Sequence, residues 1–146
     1  MKTFDPVVVT RLIKEEDLNH HGTLFAGRMA SWLVESCFLS ASRAVGKPED
    51  IVCVKIHGME FKRPAHKGEI LEISSQVVLT GRSSITVAGQ GLLDGDDRPA
   101  VTGMATFVSV KAQGKPYPHG IVLSEEYVKR VEELNLKAQE LTGRRR

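Results

Sequence analysis

A polar, glycine-punctuated run, Asn19-His20-His21-Gly22-Thr23-Leu24-Phe25-Ala26-Gly27, leads into an apolar segment whose one carboxylate is Glu35. An amide, a glycine at a helix start and a lone acid are the parts needed to attack a carbonyl. Backbone N–H groups at a helix start lack intrahelical partners and favour a developing anion, so the N–H of Gly27 is placed to hold an oxyanion. Glu35 stands among Trp32, Leu33, Val34, Cys37, Phe38 and Leu39. It would serve as base to an attacking water, or attack directly to give an anhydride, and burial among those neighbours would strengthen it as a base. Asn19 would position the water or the carboxylate. Gly27 and Glu35 are eight residues apart, about 12 Å along one helix axis. One carbonyl can hardly touch both, so a site built from these parts takes its acid from a second copy of the chain.

The same residues have plainer readings. Glu35 could form a structural ion pair with Arg28 of another helix, and Asn19 could be only a turn residue. His20 and His21 are adjacent, with no third ligand at a useful spacing, so loop hydrogen bonding is expected there and no metal. His57 beside Gly58 reads as a buried structural imidazole, and Gly58 as a bulge or a close backbone approach.

The elements that must position these residues are legible from the hydrophobic period. Pro6–Ile13 is β-branched and predicts a strand. Phe25 to about Val45 has no proline, and its large apolar residues fall nearly all round the helical wheel. That predicts a long buried helix with a narrow polar strip of Arg28, Ser31, Glu35 and Ser42, ended by Gly46 and Pro48. Four more strands follow at Ile51–Phe61, Glu69–Leu79, Ser84–Leu93 and Ala100–Lys111, with a tight hairpin at Thr80-Gly81-Arg82-Ser83. Ser124 to Leu141 predicts a surface helix with Ser124 as its N-cap. An apolar helix must be covered, and a sheet wrapped around it is the economical solution.

Composition narrows the function classes. The chain has 146 residues, 41% apolar and 26% charged, which fits a single globular domain. A net charge of +2 with scattered bases argues against nucleic acid, and Arg144-Arg145-Arg146 reads as a solvated tail. Cys37 and Cys53 both lie in apolar runs and predict buried thiols. No segment reaches transmembrane length and the N-terminus carries no signal pattern, so the expectation is a cytoplasmic protein that does not act at a membrane.

The order of elements, the Asn-His-His-Gly-Thr-Leu-Phe-Ala-Gly run, the strand Ile56-His57-Gly58-Met59-Glu60-Phe61 followed by Arg63-Pro64, and the turn Gly81-Arg82-Ser83-Ser84 together resemble the hotdog-fold acyl-CoA thioesterases, in their acyl-CoA hydrolase branch. The resemblance runs from about Val7 to His119. It implies an α+β hotdog fold, an antiparallel sheet around a long central helix, with an additional C-terminal helix at about 124–141 and a basic tail at 144–146. It also implies hydrolysis of acyl-CoA to free acid and CoA at a site between two protomers, with no cofactor, since CoA belongs to the substrate. A homodimer at least is implied, with tetramers or trimers of dimers common. Asn19 matches the family's loop Asn. The family's acid falls at Val34, and the carboxylate here comes one residue later, a step of about 100° on a helix. The longer Glu35 side chain is expected to take over the role. The family's Gly-Gly before the helix is Ala26-Gly27.

The resemblance further assigns His57, Gly58 and Met59 to the lining of the substrate arm. The backbone of Gly81-Arg82-Ser83-Ser84 is assigned to the CoA tunnel, with Arg82, Lys62 and Arg63 able to meet phosphate. Two other readings stand beside hydrolysis. One is a non-catalytic acyl-CoA sensor or carrier, motivated by Val34. The other is a dehydratase of 3-hydroxyacyl thioesters, which needs a His paired with an acid and has only His20 or His21 to draw on.

Overall fold

β-Branched and apolar residues fill five segments that become strands: β1 (Val7–Leu12), β2 (Ile51–Phe61), β3 (Ile70–Thr80), β4 (Ser84–Leu93) and β5 (Pro99–Ser109). All pair antiparallel in one sheet of order β1-β3-β4-β5-β2. The computed structural model describes residues 3–145. Helix α1 (Ala26–Val45) lies against one face of the sheet, and two shorter helices, α2 (Glu125–Arg130) and α3 (Glu132–Thr142), follow β5. The strands match the expected ones to within two residues at each end. Arg146 of the basic tail lies outside the described residues.

Close approach of α1 to the sheet depends on two small residues that face each other. Gly89 of β4 pairs with Gly103 of β5. A Cβ on Gly89 would lie 2.8 Å from Leu33 Cδ1, and one on Gly103 would lie 3.2 Å from Leu33 Cδ2. Leu33 therefore drops into the space that both missing side chains leave. Further along, Ser36 and Ser40 of α1 share a buried hydrogen-bond cluster with Ser75 of β3. The Ser75 hydroxyl donates to the Ser36 carbonyl at 2.7 Å, and the Ser40 hydroxyl lies 2.7 Å from it. Two apolar clusters flank this polar one. Met29, Trp32 and Leu33 pack with Leu71, Ile73 and Val101 near the start of α1. Cys37, Ala41 and Ala44 pack with Val77, Ile85 and Phe107 near its end. Gly46 stops the helix in the left-handed conformation, at φ 82°.

The opposite face of the sheet is covered by α2 and α3. A register shift between Val77 and Leu79 bulges β3 and turns carbonyls outward. Tyr127 Oη donates to the Val77 carbonyl at 2.6 Å, and Asn135 Nδ2 donates to the Val78 carbonyl at 2.7 Å. Both side chains are buried, and burial pushes the Tyr127 hydroxyl up to about 12. Ser124 caps α2 as expected, its hydroxyl accepting from the Tyr127 N–H at 3.1 Å.

Three expectations are corrected. The C-terminal helix breaks at Val131, whose φ of −110° and ψ of 23° leave helical space. Helix α1 carries the expected polar strip at Arg28, Ser31 and Glu35, and Ala26 and Gly27 extend it to the helix start. Ser42, expected on that strip, is buried instead. Cys37 is buried, its thiol pushed up to about 12 by burial, whereas Cys53 is exposed because β2 is an edge of the sheet.

Candidate active site

Asn19 organises the loop that delivers the chain to α1. Its Oδ1 accepts from the N–H groups of His21 at 2.8 Å and Thr23 at 3.2 Å, while Nδ2 donates to Thr23 Oγ1 at 3.1 Å. The amide oxygen is thus occupied by backbone donors, and the second Nδ2 hydrogen has no partner among the described residues. Gly22 turns the loop at φ 80°. The N–H of Leu24 then donates to the Ala65 carbonyl at 2.8 Å and that of Phe25 to the Asp17 carbonyl at 2.9 Å. Buried Asp17 forms an ion pair with Arg28, Nη1 at 3.2 Å, and accepts from the Lys14 N–H at 2.9 Å, so the loop is clamped from both sides.

After Phe25 the donors run free. Helix α1 has no side-chain cap and no acid in its first turn, and the N–H groups of Ala26 and Gly27 have no acceptor among the described residues. Both residues are exposed. A Cβ on Gly27 would lie 2.6 Å from Cε2 of Phe25, so any larger residue here would have to displace that exposed ring. An exposed, uncapped helix start of this kind is a site for an anion or a developing oxyanion.

Glu35 departs from expectation in two ways. Its side chain is 57% exposed in the single chain rather than buried, because the strip it shares with Arg28 and Ser31 faces away from the sheet. Its ion-pair partner is Arg11 of β1, with Nη2 at 2.6 Å, while Arg28 is taken by Asp17. The Arg11 guanidinium lies 5.4 Å over the Trp32 ring, and its Nε is buried without a partner. Sequence reasoning missed Arg11, although a signal was present. It shares the inward parity of Val7, Val9 and Ile13, so a cation interrupts an otherwise apolar face. Val34 is half-buried beside Glu35 and brings no polar atom.

The other candidates divide between two places. Lys62 and Arg63 follow β2 and line a cleft of about 200 Å³ with Ala26, Met29 and Phe61, next to the start of α1. Arg63 also meets Asp96 at 3.7 Å. Met59 faces the α1 side, its Cβ 3.4 Å from where a Cβ on Gly103 would lie. His57 points the other way. It pairs with Met104, which shares its parity with Thr102 and Thr106 on the face away from α1. His57 Nε2 lies 2.8 Å from Thr106 Oγ1, which lies 2.8 Å from Thr86 Oγ1. Burial, and secondarily the charge of Lys55, lowers the His57 pKa. Gly58 sits in the β2 bulge at φ 48°.

The turn Gly81-Arg82-Ser83 closes with the Gly81 N–H donating to the Ser84 carbonyl at 2.9 Å. Its Arg82 is exposed and Ser84 is buried. It lies at the sheet end where α1 finishes, opposite the end where Gly27 stands. A single chain therefore does not bring the turn and the loop together. The rings of His20 and His21 lie 3.9 Å apart on the exposed loop, and neither pairs with a carboxylate among the described residues.

The model of the thioesterase superfamily matches residues 21–100, more than half of the chain, from the loop just after Asn19 and His20 through α1 and β2 to the start of β5. An uncharacterized acyl-CoA thioester hydrolase of Bacillus subtilis is 29% identical over 123 residues, covering 82% of this chain and 70% of that protein. Among solved structures, an acyl-CoA hydrolase from Bacillus cereus superposes with a TM-score of 0.76 at 28% identity, covering 92% of this chain and 85% of that one. A hexameric acyl-CoA thioesterase in its apo form gives a TM-score of 0.77 at 26% identity, covering 97% of this chain and 94% of that one.

Proposed function

The chain belongs to the thioesterase superfamily, and from that membership we propose that it hydrolyses acyl-CoA thioesters to free acid and CoA. The observation that carries the reading is the family match over α1 and the loop residues just before it, where backbone donors lack acceptors and an exposed acid stands on the helix. The reaction uses Glu35 of one copy with the α1 start of another. Glu35 takes a proton from water as the water oxygen bonds to the carbonyl carbon. The negative charge moves to the carbonyl oxygen, held by the Gly27 N–H, with the free Nδ2 hydrogen of Asn19 on the water or the acid. Collapse breaks the C–S bond, and the thiolate leaves with the proton that Glu35 had taken.

The axial separation of Gly27 and Glu35, about 12 Å, supports a site shared between two copies. So does β2, a sheet edge on which Val52, Val54 and Ile56 are exposed, a surface suited to burial against another subunit. A homo-oligomer is also what the hexameric neighbour suggests. Lys62 and Arg63 line the cleft beside the α1 start and would meet the CoA phosphates there. Arg82 would reach the same substrate only from the other copy. Met59 borders the substrate, and His57 does not.

One observation favours a second reading, acyl-CoA binding without turnover: position 34 is Val, and Glu35 is held by Arg11. Release of free thiol from a panel of acyl-CoAs separates the two. Turnover on at least one ester supports the hydrolase. Tight binding of CoA esters with no thiol released would replace it with a sensor or carrier, and hydration of an enoyl-CoA would point to a dehydratase.

A further inference from the structure

A cavity of about 300 Å³ lies on the face of the sheet away from α1, roofed by α3. Its floor is made by outward side chains of the central strands, among them Gln76, Ala88, Gln90, Thr102 and Met104. Leu134, Lys137 and Leu141 of α3 form the roof. We propose that this cavity is a second binding site, separate from the thioester site, and that it takes a small aliphatic monocarboxylate.

The chemistry of the lining selects the ligand. Leu134, Leu141, Met104 and Ala88 offer an apolar channel for a hydrocarbon chain. Gln76, Gln90 and Thr102 offer neutral hydrogen bonds, and no carboxylate lines the space. Its one charged side chain is Lys137, which is exposed, so it stands at the mouth, and it makes no ion pair among the described residues. A ligand with an anionic end and an apolar body meets all three features, whereas a cationic one would face Lys137 unpaired. Deeper in, buried His57 spends Nε2 on Thr106, and its Nδ1 has no partner among the described residues. The volume falls at the small end for ligand pockets and far short of a whole acyl-CoA.

The cavity also has a mechanical link to the other face. Gly89 and Gly103 line it from the same strand pair on which Leu33 of α1 rests. Its occupant would lie one sheet thickness from the helix that carries Glu35.

Calorimetric titration of the full chain with octanoate, with and without saturating CoA, tests the site. Expected is saturable binding of one octanoate per chain that CoA does not displace. Lys137→Ala should weaken it about tenfold, as loss of a charge-assisted contact would. Ala88→Leu, which fills the floor, should abolish it while thiol release stays within about twofold. Should Ala88→Leu fail to fold, Leu134→Trp fills the cavity from the roof with the same expected loss. Absence of saturable binding would overturn the proposal. So would displacement by CoA, octylamine binding as tightly as octanoate, or octanoate binding that neither Lys137→Ala nor the cavity-filling change affects.

Discussion

Along the outer strip of α1 polar groups are left open, and at the β3 bulge beneath α2 and α3 they are closed. Facing away from the sheet on α1, Glu35 is exposed, the N–H groups of Ala26 and Gly27 have no acceptor, and Asn19 keeps one hydrogen free. Across the sheet, the carbonyls freed by the β3 bulge are taken by Tyr127 and Asn135, and His57 is tied to Thr106 and Thr86. Buried polar groups must be satisfied for the chain to fold, whereas exposed ones can be held in reserve for a substrate. The difference therefore separates residues whose loss should cost activity from residues whose loss should cost stability.

The largest effect is expected at Glu35. Glu35→Gln keeps the shape and removes the base, and kcat/KM in a free-thiol assay should fall by roughly 100-fold or more. Its thermal unfolding should barely move, because the lost pair with Arg11 is solvent-exposed. The mirror experiment is Asn135→Ala. It leaves the Val78 carbonyl buried without a donor, so denaturant unfolding should show a loss of about 1–3 kcal/mol. Activity per folded chain should stay within about twofold of wild type. A collapse of activity with unchanged stability at Asn135 would break the comparison.

A smaller effect separates the two sides by pH. The folded chain holds His57 below its ordinary value near 6.5, chiefly by burial, so the unfolded chain binds the proton more readily. The stability this contributes is present above pH ~6.5 and is lost as the pH falls from there through the folded value. Melting temperatures of the wild type should therefore drop below that pH, and those of His57→Gln should drop less steeply. The smallest change is expected for Arg11→Met, which breaks an exposed pair and should shift stability by no more than ~1 kcal/mol.

The fold was legible because period and punctuation agree along most of the chain. Gly46 ends α1 and the Thr80-Gly81 hairpin joins β3 to β4 at the expected places. Val131 was not legible as a break, since it fits the apolar spacing that made residues 124–141 read as one helix. Cys53 read as buried because its apolar neighbours look like a core strand. Edge position, which only strand order decides, leaves it exposed. At the site, the uncapped glycine start of α1 was visible in the sequence. The exposure of Glu35 was not, because its neighbours on the helix are apolar while the direction it faces is set by where the sheet lies. The role of Arg11 depends on β1 lying beside β3, and Arg11 itself pairs with Leu71, 60 residues on.

The shared site is tested most directly by mixing two inactive variants. Asn19→Ala and Glu35→Ala chains, co-expressed with different tags and isolated as mixed assemblies, should regain activity in the sites that draw Asn19 from one copy and Glu35 from the other. Each mixed pair carries one intact site and one doubly mutated site, so a purified mixed dimer should recover roughly half of wild-type specific activity. Activity no greater than the sum of the two parent variants would contradict a site built from two copies.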